Sequence, residues 1–234
     1  MKLELFTNHF GIMGRKKTSS ARSSDRRTAG SPANPWLREH VQDEFVRRAQ
    51  KEGFRARAIY KLQEIDERDH LLKPGMTVVD LGAAPGSWCE YAVGRVGDRG
   101  RVIALDILPM EPIDGVEFIQ GDFTEQEPLD RLLESLGGKP VDLVLSDMAP
   151  NISGIAVSDQ ARAMHLVELA LDLAERILRP EGSLLVKVFQ GRGFPEFQKT
   201  LQQRFKSVRT RKPKASRARS REIYLLAQGF LGMR

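Results

Sequence analysis

The chain of 234 residues has a single cysteine, Cys89, and no run of 18 or more apolar residues. One cysteine excludes an internal disulfide framework and fits a reducing compartment. The lack of a long apolar run excludes a membrane-spanning helix. The first 13 residues also lack the apolar stretch of a secretory signal. We therefore expect a cytoplasmic protein with no membrane partner.

Histidine and aromatic residues are also scarce. The four histidines are scattered along the chain without the paired spacing of metal ligands, so we predict no metal site. Aromatic residues make up 7% of the chain, which predicts that base stacking contributes little to any binding of nucleic acid. Hydrophobic residues still make up 41%, enough for the core of one α/β domain.

Positive charge is concentrated in two segments. Of the net charge of +6, residues 14–33 carry +5 and residues 204–221 carry +9, so the rest of the chain carries −8. Either segment alone could be a solvated surface, but two of them on an acidic body indicate a polyanion such as RNA. This predicts that alanine at Arg211, Lys212 and Lys214 weakens RNA binding and leaves cofactor binding intact.

The chain divides into a leader and one domain. Residues 14–35 are rich in Ser, Arg, Gly and Pro, and they have too few large apolar side chains to order themselves. We therefore predict that residues 1–35 form a disordered basic leader and that residues 36–234 form the domain. The domain opens with two helical patterns, one from Trp36 to Gly53 and the next through Ile65.

Strand and helix patterns alternate through the rest of the domain. The predicted strands cover 77–81, 101–106, 116–120, 141–146 and 183–189, followed by a final hairpin of 207–211 and 222–227. The predicted helices cover 87–95, 124–136, 158–178 and 194–205, and Pro180-Glu181-Gly182 is interpreted as the stop of the third. This alternation predicts a doubly wound α/β fold with a mostly parallel sheet and helices on both faces.

A glycine-rich turn joins the first strand to its helix. Gly82 and Gly86 lack a Cβ, so the backbone can turn sharply and a ligand can approach closely. Ala84 breaks the G-x-G-x-x-G spacing of a dinucleotide site, and no Gly-Lys-Ser/Thr of a P-loop follows. A phosphate cradle is therefore disfavoured. A nicotinamide-dependent oxidoreductase stays a weaker alternative, and the turn alone could be purely structural.

Three acidic residues follow the strands that would border this turn. Asp106 ends the second strand, where an acid can accept hydrogen bonds from ribose hydroxyls. Asp122 follows the third strand and could hold an adenine amino group, and Asp147 follows the fourth. Each alone could be a helix cap or a turn residue. Together they would repel a polyphosphate but suit a cationic sulfonium ligand.

The chain resembles the FtsJ-type heat-shock ribosomal RNA methyltransferases from about Trp36 to Gly229. The resemblance rests on five segments in a fixed order: AQKEGFRARAIYKL (49–62), DLGAAPGSW (80–88), LSDMAPN (145–151), LVKVFQG (185–191) and SREIY (220–224). It implies a Rossmann-like methyltransferase fold, with a seven-stranded sheet whose last strand is antiparallel to the others. It also implies S-adenosyl-L-methionine as cofactor and methylation of a uridine ribose 2′-hydroxyl in 23S rRNA. The expected partner is the large ribosomal subunit, and we expect a monomer.

The same resemblance assigns the site residues. The implied catalytic tetrad is Lys61, Asp147, Lys187 and Glu222. The implied cofactor contacts are Gly86, Trp88, Asp106, Asp122 and Asp147. One departure is Ser87, where the family has glycine, and we expect its hydroxyl to cap the helix that starts there.

Chemistry gives the tetrad a rationale. A ribose hydroxyl is a poor nucleophile until its proton leaves, and a lysine can take that proton only where its neutral form is favoured by burial or a neighbouring cation. Lys187 is the candidate base and Lys61 the neighbouring cation, whereas Asp147 and Glu222 favour the charged amine. A charged Lys187 that only steers the hydroxyl therefore stays an alternative.

Other reactions fit the sequence less well. Methylation of a base amino group would need an Asp/Asn-Pro-Pro-aromatic loop, but the loop after the fourth strand reads Asp147-Met148-Ala149-Pro150. Carbon methylation would need a cysteine nucleophile, and Cys89 lies on the first helix of the sheet region instead. The alternative from another class is a ribosome-assembly factor that kept the fold without catalysis.

Overall fold

The computed structural model describes residues 43–150, 153–217 and 219–232. The proposed leader, residues 1–35, lies outside the described residues. Residues 36–42, where the first helical pattern was predicted to begin, also lie outside them. Among the described residues, no helix is both long and apolar enough to cross a membrane.

Helices and strands alternate along the described residues. The helices are α1 (Glu44–Glu52), α2 (Ile59–Asp69), α3 (Ser87–Val96), α4 (Gln126–Leu136), α5 (Ala156–Ile177) and α6 (Phe194–Arg204). The strands are β1 (Thr77–Leu81), β2 (Arg101–Asp106), β3 (Val116–Gln120), β4 (Val141–Ser146), β5 (Leu178–Phe189), β6 (Phe205–Arg211) and β7 (Glu222–Phe230).

The strands form one sheet in the order β3-β2-β1-β4-β5-β7-β6. Strands β1 to β5 pair in parallel, and β7 lies antiparallel between β5 and β6. The prediction of a seven-stranded, mostly parallel sheet with an antiparallel last strand is therefore confirmed. The chain order reverses between β1 and β4, and ligands of such sheets bind at the carboxyl ends of the strands beside that reversal.

Helices cover both faces of the sheet, as predicted. Successive side chains of a strand point to opposite faces, and Val78 and Val79 of β1 accordingly belong to two different core clusters. Val78 packs in the cluster that holds Leu62 of α2 and Trp88 of α3. Val79 packs in the cluster formed with α4, α5 and α6, which includes Leu201.

The boundary between α5 and β5 differs from the prediction. The strand begins at Leu178, five residues before the predicted start, because Leu178 pairs with Val141 of β4. The register then shifts, and regular pairing resumes where Ser183 meets Leu143. The Pro-Glu-Gly segment predicted as a helix stop is therefore an irregular part of the strand.

Candidate active site

The four residues of the implied tetrad lie together at the carboxyl edge of the sheet. Lys61 comes from α2, Asp147 follows β4, Lys187 lies near the end of β5, and Glu222 begins β7. Because β7 is antiparallel, its first residue reaches the edge at which the parallel strands end. The Lys61 Nζ lies 2.7 Å from Glu222 Oε1, and the Lys187 Nζ lies 3.1 Å from Asp147 Oδ1.

Tyr224 joins these two ion pairs, although no role was assigned to it from the sequence. Its hydroxyl accepts a hydrogen bond from Lys61 Nζ at 3.1 Å and donates one to Asp147 Oδ1 at 2.6 Å. The period-two alternation of a strand places Tyr224 on the same face as Glu222. That spacing is the signal that could have pointed to it. The site is therefore a connected network of five side chains.

Burial and charge set the ionisation of Asp147 and Tyr224. Burial opposes ionisation of Asp147, but the positive charges of Lys187 and Lys61 outweigh it and lower the pKa of that carboxyl. Burial, together with the negative charge of Asp147, raises the pKa of Tyr224 well above its ordinary value. Asp147 therefore stays an anion, and the Tyr224 hydroxyl stays a donor to it.

Each lysine keeps one hydrogen-bonding position for a further partner. An ammonium group carries three donors. Lys187 Nζ contacts Asp147 Oδ1 and also donates to the Asp147 backbone oxygen at 2.5 Å. Lys61 Nζ contacts Glu222 and Tyr224. The contacts among the described residues account for two positions on each amine, so the two amines can converge on one substrate oxygen.

A cavity of about 480 Å³ opens beside Asp147. All three strand-end acids of the sequence analysis line it: Asp106, Asp122 and Asp147. Gly82 lies on its wall with a φ of +76°, and a Cβ there would lie 2.7 Å from Met148 Cγ. Only glycine fits that position without a shift of the neighbouring loop.

Hydrogen bonds hold two of these acids in place. The Asp106 carboxylate accepts from the backbone N–H of Ala84 and of Leu108, each at 2.8 Å. The Asp122 Oδ1 accepts from the backbone N–H and the hydroxyl of Thr124, at 2.9 and 2.7 Å. None of the described residues donates a hydrogen bond to the other carboxylate oxygen of Asp122, so this oxygen can accept one from a ligand.

Gly86 and Trp88 do not line this cavity. Trp88 is buried and its Nε1 donates to the backbone oxygen of Ala58 at 2.8 Å. Gly86 precedes α3 with a φ of +103°, and a Cβ there would lie 2.5 Å from Ile113 Cδ1. The contact of Gly86 and Trp88 with the cofactor, which the resemblance implies, stays a prediction. Only their backbone groups could make this contact. Ser87 does not cap α3, because Gly86 takes that position and no side-chain cap forms.

The basic segment 204–221 is largely engaged within the protein. The Arg211 guanidinium donates to both oxygens of Asp69, at 2.6 and 2.5 Å, and Asp69 is buried. Lys212 Nζ donates to the backbone oxygens of Ser220 and Glu222, each at 2.6 Å. Arg211 and Lys212 therefore stabilise the region around β6 and the start of β7, and their role in RNA binding stays a prediction. Lys214 keeps an exposed side chain.

Basic residues also line a cavity next to the network. A cavity of about 510 Å³ beside Glu222 is lined by Arg57, Lys61, Arg217 and Arg219, among others. It adjoins the network through Lys61. A polyanion that enters this cavity would therefore meet the amine that belongs to the tetrad.

Comparison with known proteins agrees with this arrangement. The model of the FtsJ-like methyltransferase family matches residues 54–230. A protein of Alkalilimnicola ehrlichii named ribosomal RNA large subunit methyltransferase E is 61% identical over 205 residues, which are 88% of this chain and 98% of that protein. A protein of the same name from Azoarcus sp. (strain BH72) is 64% identical over 191 residues, or 82% and 93% of the two chains.

A solved structure agrees as well. A crystal structure from Plasmodium falciparum, described with the words ribosomal RNA methyltransferase, superposes with a TM-score of 0.70 at 32% identity. The match covers 77% of this chain and 100% of that one. By the extent of the family match and by the identity to these relatives, the chain belongs to the FtsJ-like methyltransferase family.

Proposed function

We propose that the protein transfers a methyl group from S-adenosyl-L-methionine to the ribose 2′-hydroxyl of a uridine in 23S rRNA, acting on the large ribosomal subunit as a cytoplasmic monomer. The observation that carries the proposal is the network of two amines, two carboxylates and a phenol beside an acid-lined cavity. The relatives named above, whose names specify the large-subunit ribosomal RNA, support the choice of substrate.

The cavity of about 480 Å³ beside Asp147, which we call the donor cavity, suits a cationic nucleoside. Asp106 would accept from the ribose hydroxyls and the other carboxylate oxygen of Asp122 from an amino group, while the Asp147 carboxylate favours positive charge nearby. When bound, S-adenosyl-L-methionine supplies an electrophilic methyl group. A polyphosphate would face three carboxylates in the same space, so a nicotinamide dinucleotide fits poorly.

The network would hold the acceptor hydroxyl in line with the methyl group. The open positions on Lys187 and Lys61 can both hydrogen-bond the 2′-oxygen, and fixed geometry supplies much of the rate gain in a transfer of this kind. Asp147 and Glu222 keep the two amines in place. Lys187 would act on the hydroxyl either by taking its proton or by steering its oxygen.

A methylation assay tests the proposal. Large subunits that lack the modification are incubated with radiolabelled S-adenosyl-L-methionine, and the methylated nucleotide is mapped. We expect one 2′-O-methyluridine, lost in Lys187→Ala but kept in the control Lys199→Ala, an exposed position on α6. Calorimetric binding of NAD in place of S-adenosyl-L-methionine would overturn the assignment. A wild-type protein that binds subunits without methylating them would favour an assembly factor.

The pH dependence of the single-turnover rate separates the two roles of Lys187. If the amine takes the proton, the rate rises with pH until the amine is neutral. If the amine only steers the oxygen, the rate falls when the amine loses its charge. Either profile is compatible with the proposed reaction, so this measurement assigns the mechanism.

A further inference from the structure

A groove with apolar walls runs from the donor cavity along the start of α5. One part of it shares Ala149 and Pro150 with the donor cavity, and Phe189 closes its side. The other part continues past Ala156 towards Met164. The two parts have volumes of about 400 and 520 Å³. We call this feature the α5 groove.

Two residues that line the α5 groove follow closely after residues of the tetrad in the sequence. Phe189 lies two residues after Lys187 in β5, and Pro150 lies three residues after Asp147. A ribose held at Lys187 would therefore have the groove beside it, because two residues of a strand span about 7 Å. Phe189 is half-buried and offers an aromatic ring to a planar base.

The walls of the groove are fixed by Gln160. Its Nε2 donates to the backbone oxygens of Phe189 and Arg192, at 3.2 and 3.1 Å, and so ties α5 to the end of β5 and the turn after it. On the rim, Val157 is 73% exposed, although it is a large hydrophobic residue. A preformed, partly apolar groove of this kind suits a flat heterocycle.

Two arginines on the rim supply charge complementarity. Arg192 and Arg221 line the groove, as do the carboxylates of Asp159 and Glu168. Within the described ranges, no ion pair or side-chain hydrogen bond engages the guanidinium of Arg192 or of Arg221. Arg211 contrasts with them, because Asp69 occupies its guanidinium. Arginines without a carboxylate partner beside an apolar groove match a base that is flanked by phosphates.

We propose that the α5 groove binds the nucleobase of the target nucleotide, unstacked from its neighbours in the RNA, while Arg192 and Arg221 contact the flanking phosphates. The proposal rests on the proposed function for the identity of the RNA, and it adds the place where the base is held. Enzymes that act on a nucleotide within folded RNA commonly need it splayed out of the stack.

A photocrosslink tests the place of the base without relying on catalysis. Large subunits that carry 4-thiouridine are bound to the protein and irradiated, and the joined peptide and nucleotide are identified by mass spectrometry. We expect crosslinks to the segment 153–164. Crosslinks confined to the cavity lined by Arg57 and Arg217 would overturn the proposal, as would the absence of any crosslink to the groove.

A filled groove supplies the second test. Ala156→Trp places a bulky ring at an exposed groove position, and Asp172→Trp places the same ring at an exposed position farther along α5. We expect KM for the subunit to rise about tenfold in Ala156→Trp, the loss of roughly one base contact, with the Kd for S-adenosyl-L-methionine unchanged. We expect Asp172→Trp to match wild type. An equal KM in both variants contradicts the proposal, whereas a wild type that does not methylate contradicts the proposed function instead.

Discussion

At the scale of single residues, Tyr224 touches both ion pairs of the site. Its hydroxyl lies between Lys61 and Asp147, and the raised pKa keeps its proton in place. Phenylalanine at this position keeps the ring and removes the link. A network of this kind loses more than one contact when its central member is removed.

We expect Tyr224→Phe to lower kcat/KM roughly 10- to 100-fold, because a hydrogen bond to a charged group contributes about 1.5–3 kcal/mol. Binding of S-adenosyl-L-methionine, measured by calorimetry, should not change. The matched control is Tyr91→Phe, which removes a hydroxyl that donates to Asp66, a buried residue of α2. Equal kcat/KM in the two variants would show that the link has no catalytic role.

Asp80 is a second residue with a marked electrostatic environment. It is fully buried in β1, where Cys89 Sγ donates to one carboxylate oxygen at 3.1 Å, and the other oxygen has no hydrogen-bond partner among the described residues. Burial, with smaller contributions from the charges of Asp147 and Asp106, raises the pKa of Asp80 to about 7. The folded protein therefore binds this proton more tightly than the unfolded chain does.

The consequence is a loss of stability as the pH rises. The stabilising effect of the proton is complete below the ordinary aspartate pKa of about 4 and is lost as the pH rises through about 7. Between about pH 5 and about pH 8, we expect the free energy of unfolding to fall by about 2–3 kcal/mol from this group. Urea unfolding of Asp80→Asn should lack that fall. Parallel pH profiles for the two proteins would refute the assignment.

At the scale of secondary-structure elements, the ion pair between Arg211 and Asp69 joins β6 to the end of α2. The Asp69 side chain is 3% exposed, and alanine at Arg211 would leave Arg209, at 3.6 Å, as its remaining ion-pair partner among the described residues. We expect Arg211→Ala to lower the free energy of unfolding by on the order of 3 kcal/mol. Arg209 is the exposed second partner of Asp69, so Arg209→Ala is the control and should lower the free energy of unfolding by less than about 1 kcal/mol. Denaturant titration measures this free energy for both variants.

The pH dependence of this ion pair has the opposite sign to that of Asp80. Hydrogen bonding to Arg211 holds the pKa of Asp69 below its ordinary value. The stabilisation is present above the ordinary aspartate pKa and is lost as the pH falls through the lowered one. The difference in the free energy of unfolding between Arg211→Ala and wild type should therefore become smaller at acid pH. A constant difference down to about pH 2 would contradict this account.

The elements that the sequence predicts well are those whose limits are local. The first four strands match at both ends, because each is a short apolar run bounded by turn residues. The start of β5 was missed because it depends on Val141, which lies in another strand. The internal partner of Arg211 was missed for the same reason, because Asp69 lies 142 residues away in the sequence.

The site shows the same division. The tetrad followed from the resemblance, and the strand-end acids followed from the order of the strands. Tyr224 and the α5 groove did not, because each depends on distances between elements that no spacing along the chain records. Trp88 is the opposite case: the resemblance implied a contact with the cofactor, whereas the structure shows that its side chain packs in the core.

At the scale of the whole molecule, positive charge should govern affinity for RNA. The net charge is +6, and residues 14–33 carry +5. We expect removal of residues 1–35 to leave the Kd for S-adenosyl-L-methionine unchanged and to weaken binding to large subunits, most strongly at low salt. Each lost phosphate contact should reduce the slope of log K against log salt by about 0.7–0.9. Identical slopes would show that the leader makes no such contact.

The direction of β7 has a consequence for when the enzyme becomes active. Glu222 and Tyr224 enter the network from the final strand, whereas Lys61, Asp147 and Lys187 precede it. A polypeptide whose translation has not passed Tyr224 thus lacks two members of the network and the strand that pairs with both β5 and β6. A fragment ending at Ser220 should therefore transfer no methyl group, so methylation itself reports that β7 has been made and has joined the sheet.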